Sequence, residues 1–469
     1  MKKTTLGVIF GNRDFFPSHL VTTARQDILS VFKKLDFEAI MLGDEEASLG
    51  SVETYEHAKA CAELFKANRD IIDGILVILP NFGDEKGVAD TVKLSGLNVP
   101  ILVQAYPDDL AALDVIHRRD AYCGKISVCN NLYQYGFNYS LTTLHTVDPL
   151  SDSFQSDLRK FAAVCRVVNG LRTARLGAVG ARPGAFNTVR YSEKLLQASG
   201  ISVTTVDLSE IIGAAQRLSD ESTKVADKIA QIQGYAKSDS VPPPALLKMA
   251  KLGIVLSDWM AANDLNASAL QCWTSLQKNY GVNACTLMSL MSDQLLPSAC
   301  EVDITGVVSM YALQLGSGLP SGLVDWNNNY GGDPDRCVFF HCGNWAKTFF
   351  SELEIKTAPI LGSTLGEENT YGALAGRATA GPVSFARVST DDRRGIIRTY
   401  VGEGEMTNDP LDTFGNRAVV RVPRLQSLMH YICNNGFEHH VAMNPSLTSA
   451  VLADAFKIYL GWEVYEHCN

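Results

Sequence analysis

The chain has 469 residues and a mass of 51.0 kDa, more than one hydrophobic core usually supports, so we expect two to four domains. Hydrophobic residues make up 46% and charged residues 20%, as in folded globular proteins and unlike disordered chains. The net charge of −10 and the lack of a basic cluster longer than Arg393–Arg394 argue against a nucleic-acid partner.

The apolar runs are short, and the 11 cysteines are scattered along the chain. The run that follows the two N-terminal lysines ends at Gly11, too early for a signal-peptide core, and no run reaches the roughly 20 residues that span a bilayer. Scattered cysteines are typical of reduced thiols that serve as small hydrophobic side chains. The sequence therefore predicts a cytoplasmic protein that is neither secreted nor membrane-spanning.

Short apolar strands alternate with amphipathic helices over the first 170 residues. This alternation is typical of a doubly wound α/β domain, in which helices cover both faces of a parallel sheet. We predict strands at 6–10, 38–42, 74–79 and 99–104, and helices at 23–35, 55–68, 88–95 and 153–171.

The same order begins again after residue 170, which predicts a second Rossmann- or flavodoxin-like domain over 171–354. From about residue 355 the texture changes to short β-prone pieces between glycine-rich turns, which indicates a barrel-like, β-rich domain over 355–469 with terminal helices. We therefore expect an α/β protein of three domains. The predicted elements are strands at 175–179 and 202–206 and helices at 187–199, 424–434 and 447–460.

The common nucleotide-binding and hydrolase motifs do not occur. The chain has no GxGxxG or GxxxxGK[ST] loop, which argues against a dehydrogenase and against phosphate-loop enzymes. It also has neither GxSxG nor HExxH, which removes the commonest serine hydrolase and zinc protease interpretations.

Carboxylates and imidazoles in the last third of the chain are candidate metal ligands: Glu301, Asp325, His341, His439 and His440. Such a set suits Mn²⁺, Co²⁺ or Mg²⁺ better than a thiolate-preferring metal. Each residue also has a structural interpretation. Glu301 follows Ser298 in capping-box spacing, and Asp325 precedes an asparagine- and glycine-rich turn. His341 follows an apolar run, and the histidine doublet fits a helix-loop junction with one ring buried.

The order of five motifs resembles the L-fucose and L-arabinose isomerase superfamily. The motifs are CWTSLQKNYG at 272–281, CEVDITGVVSMYAL at 300–313, VDWNNN, HCGNW and GFEHHVAM. The resemblance implies that Glu301 and Asp325, in the central domain, are the metal-binding catalytic carboxylates, and that His440, in the last domain, is the late metal ligand. His341 stands where arabinose-type enzymes carry a further histidine ligand, whereas an aspartate at 325 is fucose-like.

The activity that this resemblance implies is aldose-ketose isomerisation through a cis-enediol(ate). A cation, Mn²⁺ by resemblance, polarises the sugar carbonyl while carboxylates move a proton between C1 and C2. The substrate stays open between L-fucose, D-arabinose or L-arabinose and an anionic sugar of the sulfoquinovose type. The alternative is a non-catalytic cytoplasmic sugar-binding protein.

Further residues are candidates for substrate binding. Loops after strands of open α/β sheets often bind ligands, which favours Asn12, Arg13 and Arg182, and an arginine fork suits a hydroxyl-rich or anionic sugar. The resemblance implies a homo-oligomer, a hexamer or a trimer, in which Arg13 serves a neighbouring subunit. The other candidates flank the proposed ligands and are Trp273, Trp326, Trp345, Lys347 and His439.

Overall fold

The computed structural model describes residues 3–467, which divide into two compact units. The N-terminal unit comprises Met1–Asn169 and Asp454–Gly461, and the C-terminal unit comprises Gly170–Ala453 and Trp462–Asn469. Each contains a parallel sheet with helices, so the predicted α/β class is confirmed, while the three-domain division stays a prediction. No helix in the described residues has the length and apolar character of a membrane span.

A five-stranded parallel sheet forms the centre of the N-terminal unit. Its strands are β1 (Thr5–Phe10), β2 (Glu38–Ile40), β3 (Gly74–Leu79), β4 (Ile101–Ala105) and β5 (Ser140–Leu141). The helices are α1 (His19–Leu35), α2 (Tyr55–Ala67), α3 (Glu85–Ser95), α4 (Ala121–Gln134) and α5 (Asp152–Arg172). The strand order is β2-β1-β3-β4-β5, and alternate residues of β3 join two different cores, so both faces of the sheet are covered.

A second parallel sheet, of four strands, opens the C-terminal unit. Its strands are β6 (Arg175–Val179), β7 (Ser202–Val206), β8 (Ala267–Leu270) and β9 (Ser298–Ala299), in the order β7-β6-β8-β9. The helices are α6 (Glu193–Ala198), α7 (Leu208–Arg217), α8 (Thr223–Tyr235), α9 (Pro243–Ala262), α10 (Ser275–Asn279), α11 (Cys285–Asp293) and α12 (Ile304–Ser317). Glu301 follows β9 and therefore lies at the carboxyl end of this sheet, where open α/β sheets bind ligands.

The rest of the C-terminal unit is built on a nine-stranded mixed sheet. Its strands are β10 (Gly322–Asn329), β11 (Arg336–His341), β12 (Glu354–Lys356), β13 (Ala373–Arg377), β14 (Gly381–Asp391), β15 (Ile396–Thr407), β16 (Asn416–Arg421), β17 (His440–Asn444) and β18 (Glu463–His467). The helices are α13 (Pro359–Leu365), α14 (Leu425–Asn434) and α15 (Ser449–Asp454). The order is β12-β13-β16-β11-β10-β17-β14-β15-β18, and a further pairing of β15 with β16 closes six strands into a ring.

Two features differ from the predicted elements. Strands β10 and β11 pair in the nine-stranded sheet, although the predicted domain limit at 354 falls after them, because glycine-rich turns become frequent only beyond that point. The predicted helix at 187–199 is shorter, because 187–189 form a 3₁₀ turn and α6 begins at Glu193, with Ser192 as its N-cap. The first difference places Asp325 and His440 on neighbouring strands.

Candidate active site

Glu301 is held in a strained turn between β9 and α12. Its Oε1 accepts a hydrogen bond from Trp273 Nε1 at 2.9 Å, whereas its Oε2 is buried and has no hydrogen-bond partner among the described residues. Glu301 and Val302 have φ angles of 55° and 57°, in the left-handed region that is most costly for a β-branched residue such as valine. Such strain persists where the surroundings hold the chain, and it clusters at functional sites.

Two purely structural roles considered from the sequence, a capping box for Glu301 and a turn for Asp325, are wrong. Ser298 lies in β9, and α12 begins at Ile304 with Asp303 as its N-cap, so Glu301 is not part of a capping box. The Asp303 carboxylate accepts the N–H of Gly306 at 2.8 Å in this role. Asp325 lies within β10 and not in a turn.

Two histidines and Asp325 bring further donor atoms to Glu301. His440 Nε2 lies 3.6 Å from Glu301 Oε2 and 3.4 Å from Asp325 Oδ1. His341 Nε2 also lies 3.6 Å from Glu301 Oε2. Asp325 Oδ1 is a second buried oxygen that lacks a hydrogen-bond partner among the described residues. The possible ligand atoms form two groups that share His440, namely Glu301–His341–His440 and Asp325–His439–His440, and within each group the atoms lie within 4.8 Å of one another. Carboxylate and imidazole donors of this kind suit a divalent cation of the Mn²⁺ or Mg²⁺ type.

The histidines also keep Asp325 ionised. Burial by itself raises the pKa of Asp325, but His439, His341 and His440 outweigh burial and lower the pKa. The closest of these contacts joins His439 Nε2 to Asp325 Oδ1 at 3.3 Å. A carboxylate that is ionised at neutral pH is available both as a ligand and as a base.

A buried ionic network orients His440. Its Nδ1 lies 2.9 Å from Asp303 Oδ2, which leaves the Nε2 lone pair facing the two carboxylates. Arg387 donates to both Asp303 oxygens, at 2.6 and 3.1 Å, and to Glu438 at 3.1 Å. Burial by itself raises the pKa of Asp303, but Arg387 and His440 outweigh it and hold the pKa well below its usual range. Asp303 is therefore ionised and fixes the tautomer of His440.

His341 is held differently from His440. The backbone N–H of Cys342 donates to His341 Nδ1 at 3.0 Å, so a neutral ring carries its proton on Nε2, the atom that faces Glu301. The 3.6 Å between His341 Nε2 and Glu301 Oε2 is longer than a hydrogen bond, and His341 would need to give up the Cys342 contact and move its proton to Nδ1 to become a ligand through Nε2. The hydrogen bonds therefore favour His440 as the imidazole ligand.

A cluster of cysteines adjoins His341. Cys342 Sγ lies 3.7 Å from Cys285 Sγ, and the sulfurs of Cys300 and Cys342 lie 3.7 and 3.5 Å from His341 Nδ1. Cys272 Sγ is within 4.8 Å of Cys300 Sγ. Burial raises the pKa of the Cys300 thiol, which favours its protonated form. The sequence interpretation of scattered hydrophobic thiols did not anticipate this cluster.

Glu301 lines a cavity of about 1130 Å³, which is ample for a monosaccharide. Phe186 and Trp273 line it as well, and their rings meet edge to face with centroids 5.5 Å apart. The Phe186 ring also lies 5.4 Å from His439 and 5.8 Å from His440. The Phe186 ring therefore contacts both histidines and Trp273, the residue that donates a hydrogen bond to Glu301.

Three of the proposed substrate-binding residues lie elsewhere in the C-terminal unit. Trp345 is fully buried and donates to the carbonyl of Leu323 at 3.0 Å. Trp326 is half-buried and donates to Tyr400 Oη at 3.0 Å. Lys347 Nζ lies over the ring of Tyr235. The structure therefore does not bring Trp326, Trp345 or Lys347 to Glu301, because packing and local hydrogen bonds account for them.

The loop arginines are placed as follows. Arg182 lies in the loop after β6 and donates only to the carbonyls of its neighbours Pro183 and Gly184 among the described residues. Asn12 and Arg13 follow β1 in the N-terminal unit, where Arg13 forms an ion pair with Glu85. The expectation that Arg13 binds sugar from a neighbouring subunit stays a prediction.

Two family models match the chain. The N-terminal domain of fucose/sulfoquinovose isomerases matches residues 7–172, and the C-terminal domain of L-fucose isomerases matches residues 339–467. The chain belongs to the fucose isomerase-like family. It is accordingly an enzyme of the aldose-ketose isomerase class, and His341 and His440 lie inside the second matched segment, whereas Glu301 and Asp325 lie between the two segments.

Relatives of this isomerase carry the name sulfoquinovose isomerase. The protein from Clostridium sp. (strain MSTE9) is 25% identical over 332 residues, which cover 68% of this chain and 70% of that protein. The protein from Alkalicoccus urumqiensis is 24% identical over 322 residues, with coverages of 67% and 68%. The apo-structure of D-lactate dehydrogenase from Escherichia coli aligns at 8% identity with a TM-score of 0.16, covering 66% of this chain and 93% of that chain, too low to support an argument on fold.

We expect Asp303→Asn to weaken divalent-cation binding by this isomerase by about 10–100-fold. Asparagine still caps α12, but it loses the charge that fixes the tautomer of His440. The measurement is a Mn²⁺ titration of the chelator-treated protein, which needs no substrate. Asp84→Asn is the matched control, because Asp84 caps α3 in the N-terminal unit with the same geometry and should leave the affinity unchanged. Equal affinity in the wild type and Asp303→Asn would contradict the positioning role.

Proposed function

We propose that this isomerase is a divalent-cation-dependent enzyme that interconverts a sulfoquinovose-type aldose and its ketose. The observation that carries the proposal is the convergence of two buried oxygens without hydrogen-bond partners among the described residues, Glu301 Oε2 and Asp325 Oδ1, on His440 Nε2. Buried carboxylate oxygens without partners are costly, and a bound cation would satisfy both.

Glu301, Asp325 and His440 would hold the cation, for which we propose Mn²⁺. When bound, the cation supplies a Lewis acid that polarises the sugar carbonyl and stabilises negative charge on O1 and O2 of the enediol(ate). His341 lies beside Glu301 and would become a further ligand only if its Nδ1 gave up the hydrogen bond from the Cys342 backbone N–H.

The two carboxylates would carry out the proton transfer between C1 and C2. Glu301 Oε1 is held by Trp273, which keeps the carboxylate in one rotamer while Oε2 stays free. One carboxylate removes the proton from carbon, and the other manages the proton at oxygen, with the roles exchanged in the reverse direction. Phe186 and Trp273 line the cavity beside Glu301 and would limit exchange of the transferred proton with water if substrate fills the remaining space.

The sulfonated substrate is proposed from the relatives, whose names specify sulfoquinovose. The finer features that the resemblance implies are also proposed: two doubly wound domains followed by a barrel-like domain, a cytoplasmic location, and a homohexamer in which Arg13 of a neighbouring subunit completes the site. The non-catalytic sugar-binding alternative gives no reason for the strained backbone at Glu301 or for two buried carboxylate oxygens that lack partners among the described residues.

Metal removal tests the proposal. We expect the chelator-treated protein to convert no sugar, and Mn²⁺ to restore conversion of sulfoquinovose, with Co²⁺ and Mg²⁺ compared at equal concentration. The sugar panel contains sulfoquinovose, glucose, L-fucose, L-arabinose and D-arabinose, and NMR spectroscopy follows the anomeric and ketose signals. Full activity in protein shown by elemental analysis to be free of metal would contradict the cation-dependent mechanism. A Mn²⁺-loaded protein that binds these sugars but converts none of them would favour the sugar-binding alternative.

A further inference from the structure

One row of residues crosses five neighbouring strands of the nine-stranded sheet. Asp325 on β10 is paired with His440 on β17 and, on its other side, with Phe340 on β11. Phe340 is paired with Arg417 on β16, and Arg417 is paired with Arg377 on β13. Residues paired across neighbouring strands share a face of the sheet. The row therefore leads from the proposed ligands, past a phenylalanine, to two arginines on the same face.

The two arginines border the cavity that Glu301 also lines. Phe340, Arg377 and Arg417 are all among its lining residues, and Phe414 closes over Phe340 edge to face, with ring centroids 5.4 Å apart. The strand spacing of about 4.8 Å puts Arg417 about 10 Å from Asp325 along the row.

No carboxylate forms an ion pair with either arginine among the described residues, although Asp412 lines the same cavity. Arg417 donates to the carbonyls of Leu411 and Gly415, and Arg377 donates to the carbonyl of Asp409. Burial lowers the pKa of Arg417, the exposed Asp412 opposes this effect, and the neighbouring charge of Arg377 adds to it. Two like charges placed side by side in a cavity are costly unless an anion binds between them.

The lysines of the same cavity provide a contrast. Lys356 Nζ lies 3.0 Å from Glu354, and Lys237 Nζ lies 3.3 Å from Glu352. Each lysine therefore has a carboxylate partner inside the cavity lining, whereas the hydrogen bonds of Arg377 and Arg417 within the described residues go to backbone carbonyls. Planar guanidinium groups with free N–H donors also match the geometry of a tetrahedral oxyanion better than ammonium groups do.

We infer that Arg377 and Arg417 bind the anionic group on C6 of the sugar, a sulfonate, while C1 and C2 lie at Glu301 and Asp325. Phe340 lies between the two ends and contacts the carbon chain. This inference rests on the proposed function, since it assigns one end of the cavity to the reacting carbons. It moves anion recognition from Arg13 and Arg182 to a pair of arginines that the sequence did not single out.

Steady-state kinetics of Arg417→Gln and Arg377→Gln test the inference, with sulfoquinovose and glucose as substrates. Glucose has a hydroxyl on C6 in place of the sulfonate and is otherwise matched; if it is not turned over, its inhibition constant is measured. We expect each substitution to raise the KM for sulfoquinovose by about tenfold or more, and the glucose constant to change by less than about twofold. Lys356→Gln and Lys237→Gln are matched controls that should leave both constants unchanged.

The outcomes separate this inference from the proposed function. Unchanged KM values for sulfoquinovose in both variants, or equal losses on both sugars, would overturn the arginine site while isomerisation stands. A wild type that converts no aldose contradicts the proposed function itself. Because Arg417 also supports two loop carbonyls, Arg417→Lys is measured alongside: it keeps the charge without the fork, so it should fall between the wild type and Arg417→Gln on sulfoquinovose. Arg377→Gln provides an independent result if Arg417→Gln does not fold.

Discussion

Replacing Glu301 by glutamine is expected to lower kcat for sugar isomerisation by about 10²–10⁴-fold. Glutamine keeps the volume of the side chain and can still accept the Trp273 hydrogen bond through its amide oxygen. It cannot accept a proton from carbon, and it removes one negative charge from the proposed cation site. The measurement is kcat with saturating Mn²⁺ and sugar, together with the metal content of the purified variant.

Glu354→Gln is the matched control for this substitution. Glu354 lines the same cavity but forms an ion pair with Lys356, so neutralising it should change kcat by less than about threefold. Wild-type turnover in Glu301→Gln would show that another group removes the proton. Normal metal content together with lost turnover would assign Glu301 to proton transfer rather than to metal retention.

Replacing Arg387 by methionine is expected to lower the free energy of unfolding by about 3–5 kcal/mol. Arg387 is fully buried and pairs with Asp303 and Glu438, so its loss leaves two buried carboxylates without their cation. Methionine fills much of the space but cannot donate hydrogen bonds. The measurement is the midpoint of chemical unfolding, followed by far-ultraviolet circular dichroism.

Arg394→Met is the control, because it removes an arginine ion pair that lies on the surface instead of in the core. Arg394 pairs with Glu463 on the surface, where both side chains are about half exposed, so its removal should barely move the unfolding midpoint. Similar shifts in the two variants would contradict a special role for the buried network. A restored midpoint in the triple change of Arg387, Asp303 and Glu438 to uncharged residues would trace the loss to the unpaired carboxylates.

Six parallel strands of the two units were predictable because apolar or β-branched residues form each run, whereas the short strands β5, β8 and β9 were not predicted. Strands β3, β6 and β7 have the predicted limits, since glycine, charged or turn residues bound each run. The joining of β10 and β11 to the nine-stranded sheet was not predictable. Pairing between strands distant in sequence depends on tertiary contacts, and the local composition of 322–341 does not indicate its partners.

The sequence predicted Glu301, Asp325 and His440 as one set, and His440 Nε2 lies 3.6 Å from Glu301 Oε2 and 3.4 Å from Asp325 Oδ1. It did not identify the ionic network behind them. Asp303 is two residues after Glu301, and nothing in the sequence marks it as part of a network. Arg387 is the single charged residue in the β-prone run SFARVST, and this isolated charge was the one sequence feature that indicated a buried ion pair. An arginine at an inward position of a strand indicates a buried carboxylate partner, but not which one.

Glu301 and His341 each have a cysteine as their neighbour in the chain, Cys300 before the first and Cys342 after the second. Carboxylate and imidazole donors suit Mn²⁺ and Mg²⁺, whereas thiolates select Zn²⁺ and Cu⁺. A shift of either segment by a single residue would present sulfur to the cation. The hydrogen bond from Val302 N–H to the Leu270 carbonyl, at 3.2 Å, and the Trp273 contact oppose such a shift. If the proposed cation binds here, backbone register as well as ligand identity would set which donor atoms face it.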